Sequence, residues 1–162
     1  MTVHSESAVS PGASAARAHV DSLQRRVAAR AVALLAIAML TGGWAGVALS
    51  GKVVIPIPHL ALAAHLNALL GSFWLLAFAF TLPMLSYGDR AKVRLAWLQL
   101  VPNYANWFVT LIASFLGVRG LEFTGDPAND VIAAALLALV VAPALIGTIA
   151  WAWGFRGTHR TD

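Results

Sequence analysis

The sequence predicts an all-α membrane protein: a four-transmembrane-helix bundle with both termini cytoplasmic. Three observations carry that prediction: composition, the length of the apolar runs, and the placement of the bases. Hydrophobic residues make up 59% of the 162 residues and charged residues 11%, against about 25% charged in soluble domains. So few charges cannot cover a water-facing surface, and the apolar excess must face lipid. Four apolar segments reach the roughly 20 residues needed to cross the hydrocarbon core. Nine bases (Arg17, Arg25, Arg26, Arg30, Arg90, Lys92, Arg94, Arg156 and Arg160) lie on one side of these segments, and only Lys52 and Arg119 on the other. By the positive-inside rule the richer side, with both termini, is cytoplasmic.

Residues 1–24 are small and polar, with Ser5, Ser7, Ser10, Pro11, Gly12 and Ser14 among several alanines. Little apolar surface is available there to offset ordering entropy, so a flexible tail is expected. No apolar run follows the first methionine closely, so this is not the pattern of a cleaved secretory signal. The transmembrane domain is expected over 25–156, with helices at about 27–49, 60–85, 95–118 and 131–155, and 157–162 as a short tail. Arg30 sits at the edge of the first helix, where its side chain can reach the interface. Gly51, Pro56 and Pro58 punctuate the first link, 89–94 forms the second, and 120–129 the third. Pro102 and Pro143 fall inside the third and fourth helices, and each removes a backbone donor and should kink or locally open its helix.

The net charge of +4 does not indicate nucleic acid, because the bases lie in short segments beside apolar runs. Cysteine is absent, which excludes disulfides, thiolate nucleophiles and Cys-based metal sites. No pair of carboxylates lies within the membrane region, so acid–base chemistry of the glycosidase or aspartic-protease type is unsupported. There is no metalloprotease-type His–Glu pair on a helix and no glycine loop before a lysine to hold phosphate.

Polar residues at depth are the informative ones, because each is costly unless paired or used. The second helix carries His65 and Asn67, and the third Asn103, Asn106, Thr110 and Ser114; the first and fourth offer little beyond Thr41 and Thr148. At 100° per residue the four polar residues of the third helix fall within about 80° of arc. On the second helix His65, Ala68, Ser72 and Ala79 share a face, with Asn67, Gly71, Trp74 and Phe78 roughly opposite. Stripes of Asn, Thr and Ser commonly serve as interhelical hydrogen-bond glue. A lone histidine at depth is open to three readings: a packed residue, a proton relay, or an axial ligand to haem iron. His59 belongs at the interface, and His4 and His159 in the tails.

Several short pieces of residues 64–154 resemble a family of small membrane isomerases that includes hydroxylaminobenzene mutase and styrene oxide isomerase. They are Ala64-His65, then Leu82-Pro83, the basic run Gly88-Asp89-Arg90-Ala91-Lys92, Asn103-Tyr104-Ala105-Asn106-Trp107, and Arg119-Gly120-Leu121-Glu122-Phe123-Thr124. The resemblance implies a homotrimer in a bacterial inner membrane, holding haem b at the subunit interface. It implies that His65 binds the iron and that Asn106 stands where the family has its third-helix asparagine, facing a small aromatic substrate. Ala68 and Ser72, small residues on the His65 face, are then expected beside the cofactor, and Thr110 and Asn103, on the stripe of Asn106, are weaker candidates toward the substrate. Ferric iron would then act as a Lewis acid toward a substrate oxygen with no net redox change. The expected site is a dry pocket between the second and third helices, where Trp74, Phe73 or Trp107 could stack on a ring.

Three departures choose between the activities. Styrene oxide isomerases carry an asparagine where this chain has Gly71, an aspartate where it has Pro102, and a tyrosine where it has Thr110. The Tyr104-Ala105-Asn106-Trp107 run is closer to the hydroxylaminobenzene mutases, which favours conversion of aryl hydroxylamines to 2-aminophenols over epoxide isomerisation. A haem-free structural or transport subunit is the reading from another class.

Overall fold

The computed structural model describes residues 11–156, with side chains from Val20 onward. The described residues contain no strand and form four long helices: α1 (Pro11–Leu49), α2 (Pro58–Thr81), α3 (Asp89–Leu116) and α4 (Pro127–Trp153). A single 3₁₀ turn, Leu82–Met84, extends α2. Val20–Leu49 of α1, α2 with its 3₁₀ turn, and α4 are each long and apolar enough to cross a membrane. At 28 residues α3 is as long, but Gln99, Asn103, Asn106 and its charged first turns make it less apolar.

Two boundaries differ from expectation. The polar tail expected through residue 24 is helical from Pro11; residues 1–10 and 157–162 lie outside the described residues. Ala13, Ala15, Ala16 and Ala18 favour helix, and extension from an existing helix needs no new nucleus. The link expected at 89–94 is instead the start of α3, entered through Gly88 and with Asp89 in the first turn, where a carboxylate suits the positive end of the helix dipole.

The buried residues of α1 are Val27, Ala31, Leu34, Ala38, Thr41, Ala45 and Ala48. They repeat every three and four residues, the pattern of helices wound at a shallow left-handed angle. Most are alanine, which lets α2 approach closely through Ala61, Ala64, Ala68 and Ala79. Large side chains face outward instead: Leu40, Leu70, Phe80 and Leu145 are exposed, as a lipid-facing surface requires.

The two prolines act differently. Six residues before Pro143, Leu136–Val141, take the wider π-helical winding, so of the kink or local opening expected there, α4 shows the opening. At Pro102 α3 stays α-helical, although proline leaves the Leu98 carbonyl without its usual partner. That carbonyl faces Gly147 of α4, where an added Cβ would stand 3.0 Å from both Leu98 O and Gln99 Nε2. Beyond α3 the link to α4 is ordered by Asn129, which accepts from Gly120 N–H at 2.8 Å and donates to Glu122 O at 2.7 Å. Gly120 has φ +63, and a Cβ there would collide with Ile132, so only glycine fits.

Candidate functional site

The polar residues separate onto two faces of α2. His65 turns to α1, where its Nδ1–H donates to Ala38 O at 2.8 Å. The imidazole lies over Gly42, whose missing side chain makes the room: a Cβ there would come within 2.8 Å of two ring atoms. Because a carbonyl can only accept, this bond places the proton on Nδ1 and leaves the lone pair on Nε2. Nε2 has no protein partner among the described residues. His65 therefore does not open between α2 and α3 as expected; the small residues of α1 draw its face of α2 onto α1. Ala68 and Ser72, expected beside a cofactor, share that face, and both are fully covered, with Ser72 Oγ–H donating back to Leu69 O at 2.7 Å.

On the opposite face Asn67 Nδ2 donates to Asn106 Oδ1 and to Thr110 Oγ1, each at 3.1 Å. Asn106 and Thr110 are thus brought together, as their spacing on α3 predicts, by an asparagine on α2. With its oxygen held by Asn67, the Asn106 amide keeps its N–H donors for another group. Asn103 lies one turn away, its Nδ2 donating to Gln99 O at 2.7 Å. Its oxygen fills the space beside Gly71, where a Cβ would approach it to 2.8 Å. The amide of Asn103 so stands close to where the resembled epoxide isomerases carry an asparagine. Ser114 bonds its own helix at Leu111 O, 2.6 Å away.

Beside this network is a cavity of about 300 Å³ between α2, α3 and α4. Trp74, Pro102 and the α4 side chains Val140, Ala144 and Leu145 form its apolar wall, and Gln99, Asn103, Asn106 and Thr148 supply polar groups. The volume is at the lower end of the range for small-molecule sites. Trp74 is fixed edge-on to Trp151 at 5.3 Å, and Trp151 edge-on to Phe78 at 5.4 Å. Of the three aromatic residues expected to stack on a ring, Trp74 alone lines the cavity. Phe73 is exposed, and Trp107 Nε1–H donates to Thr41 Oγ1 at 3.0 Å, tying α3 to α1.

Gln99 was not among the residues expected from sequence. Its signal is its spacing, four residues before Asn103 and seven before Asn106, which places it on the same stripe. Asn67 was singled out, but only the structure gives its partners.

No group of three or more His, Asp or Glu side chains suited to a bare metal ion occurs among the described residues. One imidazole with a fixed tautomer instead fits a metal whose other ligands come with it, as in a haem.

A family model described as styrene oxide isomerase matches residues 23–156. Hydroxylaminobenzene mutase HabB of Ectopseudomonas oleovorans is 29% identical over 167 aligned positions, covering 96% of this chain and 88% of that protein. No solved structure matches the chain. With the family model running from α1 through α4, the chain belongs to the styrene oxide isomerase family, a family of membrane isomerases.

Proposed function

We propose that this protein is a haem-dependent membrane isomerase that converts aryl hydroxylamines to 2-aminophenols. The observation that carries the reading is the His65 site: Nδ1–H on the Ala38 carbonyl, a glycine beneath the ring, and Nε2 left as a ligand. Ligating histidines characteristically donate their other nitrogen in this way. Haem b, when bound, supplies ferric iron as a Lewis acid for the substrate oxygen. The similarity to a hydroxylaminobenzene mutase and the Tyr104–Trp107 run favour the hydroxylamine.

The reaction is an isomerisation: the N–O bond breaks, a C–O bond forms at the ortho carbon, and the ring proton lost there is balanced by one gained at nitrogen. The chain's own part is to orient and to exclude water. Asn106, held by Asn67, donates to the hydroxylamine, and Thr110 supports that pair. Trp74 and the aliphatic wall of α4 keep the cavity dry, so a cationic ring is not captured by solvent.

His65 faces α1, and Asn106, on α3, meets the opposite side of α2, so the two are read as meeting one substrate across a subunit boundary. A homotrimer, the assembly the family resemblance implies, gives a second copy to complete the site. The chain is read as a four-span protein of the bacterial inner membrane with both termini cytoplasmic. At 28 residues α3 is about 42 Å long, enough to span, and nine of eleven bases lie on the terminal side.

The name of the family model favours a second reading, isomerisation of an aryl epoxide to an aldehyde. Purified protein given phenylhydroxylamine and styrene oxide separately decides between them. Formation of 2-aminophenol is expected; aldehyde formation alone moves the assignment to the epoxide, and no product from either contradicts both.

A further inference from the structure

Among the described residues only two buried side-chain polar atoms lack a hydrogen-bond partner, Trp44 Nε1 and Gln99 Nε2. Of the two residues only Gln99 lines the candidate cavity. It is 1% exposed, and Trp74 Nε1–H donates to its Oε1 at 2.7 Å. That bond fixes the amide, because a flip would set N–H against N–H. On its other side the nitrogen packs against α4, where a Cβ at Gly147 would stand 3.0 Å away. The result is a donor with two hydrogens, held from both sides and given no acceptor. Buried donors are normally paired, and an exception calls for an explanation.

We infer that Gln99 is a specificity-determining residue whose amide N–H binds an acceptor atom on the substrate ring, remote from the reacting group. The inference rests on the cavity being the aryl substrate's site. Gln99 and Asn106 are two turns apart on one face of α3, about 10 Å along the axis, and both line the cavity. One benzene ring substituted at opposite ends, with a hydrogen bond of about 2.9 Å at each, covers that rise. Asn106 then takes the reacting group and Gln99 takes a neutral oxygen acceptor such as an acyl or nitro group. Trp74 serves twice, as ring wall and as the bond that aims the amide.

The test compares phenylhydroxylamine with its para-acetyl derivative on the wild-type protein, Gln99→Glu and Gln99→Leu. Gln99→Glu keeps an acceptor for Trp74 and removes the donor once it is ionised; burial opposes that ionisation, so its ratio is read at the alkaline end of the assay range, while Gln99→Leu removes the donor at every pH. The wild type should favour the acetyl substrate about tenfold in kcat/KM, mainly through KM, about 1.4 kcal/mol. In both variants the ratio should fall to about one. A ratio unchanged in the variants, or absent in the wild type, overturns the assignment. Binding of acetophenone and ethylbenzene, read by tryptophan fluorescence, keeps the test independent of turnover. If neither hydroxylamine reacts, the isomerase reading fails. A wild-type preference for acetophenone that Gln99→Glu abolishes would still establish the donor, and equal binding of the two would remove it.

Discussion

On one side of α2, Ala61, Ala64, Ala68, Ser72 and Leu75 are covered to the last few per cent. His65 is the one large polar group on that side, and a backbone carbonyl of α1 holds it. On the other side Asn67, Gly71 and Trp74 meet α3 through side-chain amides and leave a volume of about 300 Å³. The first face is built by removing side chains, so that backbones touch and one imidazole has one place to lie. The second is built by adding polar side chains around a space. A ligand to a cofactor needs the first kind of construction, because its angle must not vary. A site for a small polar substrate needs the second, because its donors must be fixed yet unspent.

If the faces differ as described, substitutions on them should fail in different ways. The largest effect is expected for Gly42→Leu, which fills the space under the imidazole. Haem absorbance per chain and isomerase turnover should each fall more than tenfold, with helix content by circular dichroism unchanged. Next, Asn106→Ala should lower turnover about 100-fold, the scale for losing one donor aimed at the reacting group, while haem stays bound. Haem loss there would make Asn106 a structural residue and merge the two faces. Smaller again, Asn67→Ala frees Asn106 to rotate, and kcat/KM should fall about tenfold, as for loss of one well-placed hydrogen bond. The smallest change is expected for Thr41→Val, which takes the acceptor from Trp107 Nε1–H. Unfolding in mixed detergent should show a loss of about 1 kcal/mol, with turnover within twofold, because Trp107 ties helices together and faces no substrate.

The helices and their polar stripe were legible in the sequence because both follow from period and composition. The spacing of Asn103, Asn106 and Thr110 gives one face at 100° per residue, and the structure has Asn106 and Thr110 on one partner. Period alone does not say which neighbour a face meets. His65 was expected to open toward α3, and it meets α1 because Ala38 and Gly42 let that helix come close. That signal lay in α1, a helix otherwise poor in polar groups. The charges at 89–94 read as a link, yet they begin α3, since short basic runs suit a helix end as well as a loop. Gln99 is masked by Leu98 and Leu100 on either side, although its spacing matches the stripe. A local opening at Pro143 was foreseen as one alternative to a kink, but not its place or its π-helical winding, because where the freed backbone relaxes depends on what α4 packs against.

The central claim is that the imidazole on the close-packed face of α2 is a cofactor ligand. The most direct measurement is the absorption spectrum of protein purified from haem-supplied cells, wild type beside His65→Ala. The account predicts a Soret band in the wild type and its loss in His65→Ala, with both proteins folded and recovered in equal amount. A colourless wild type, or a His65→Ala protein that keeps its pigment, would contradict it.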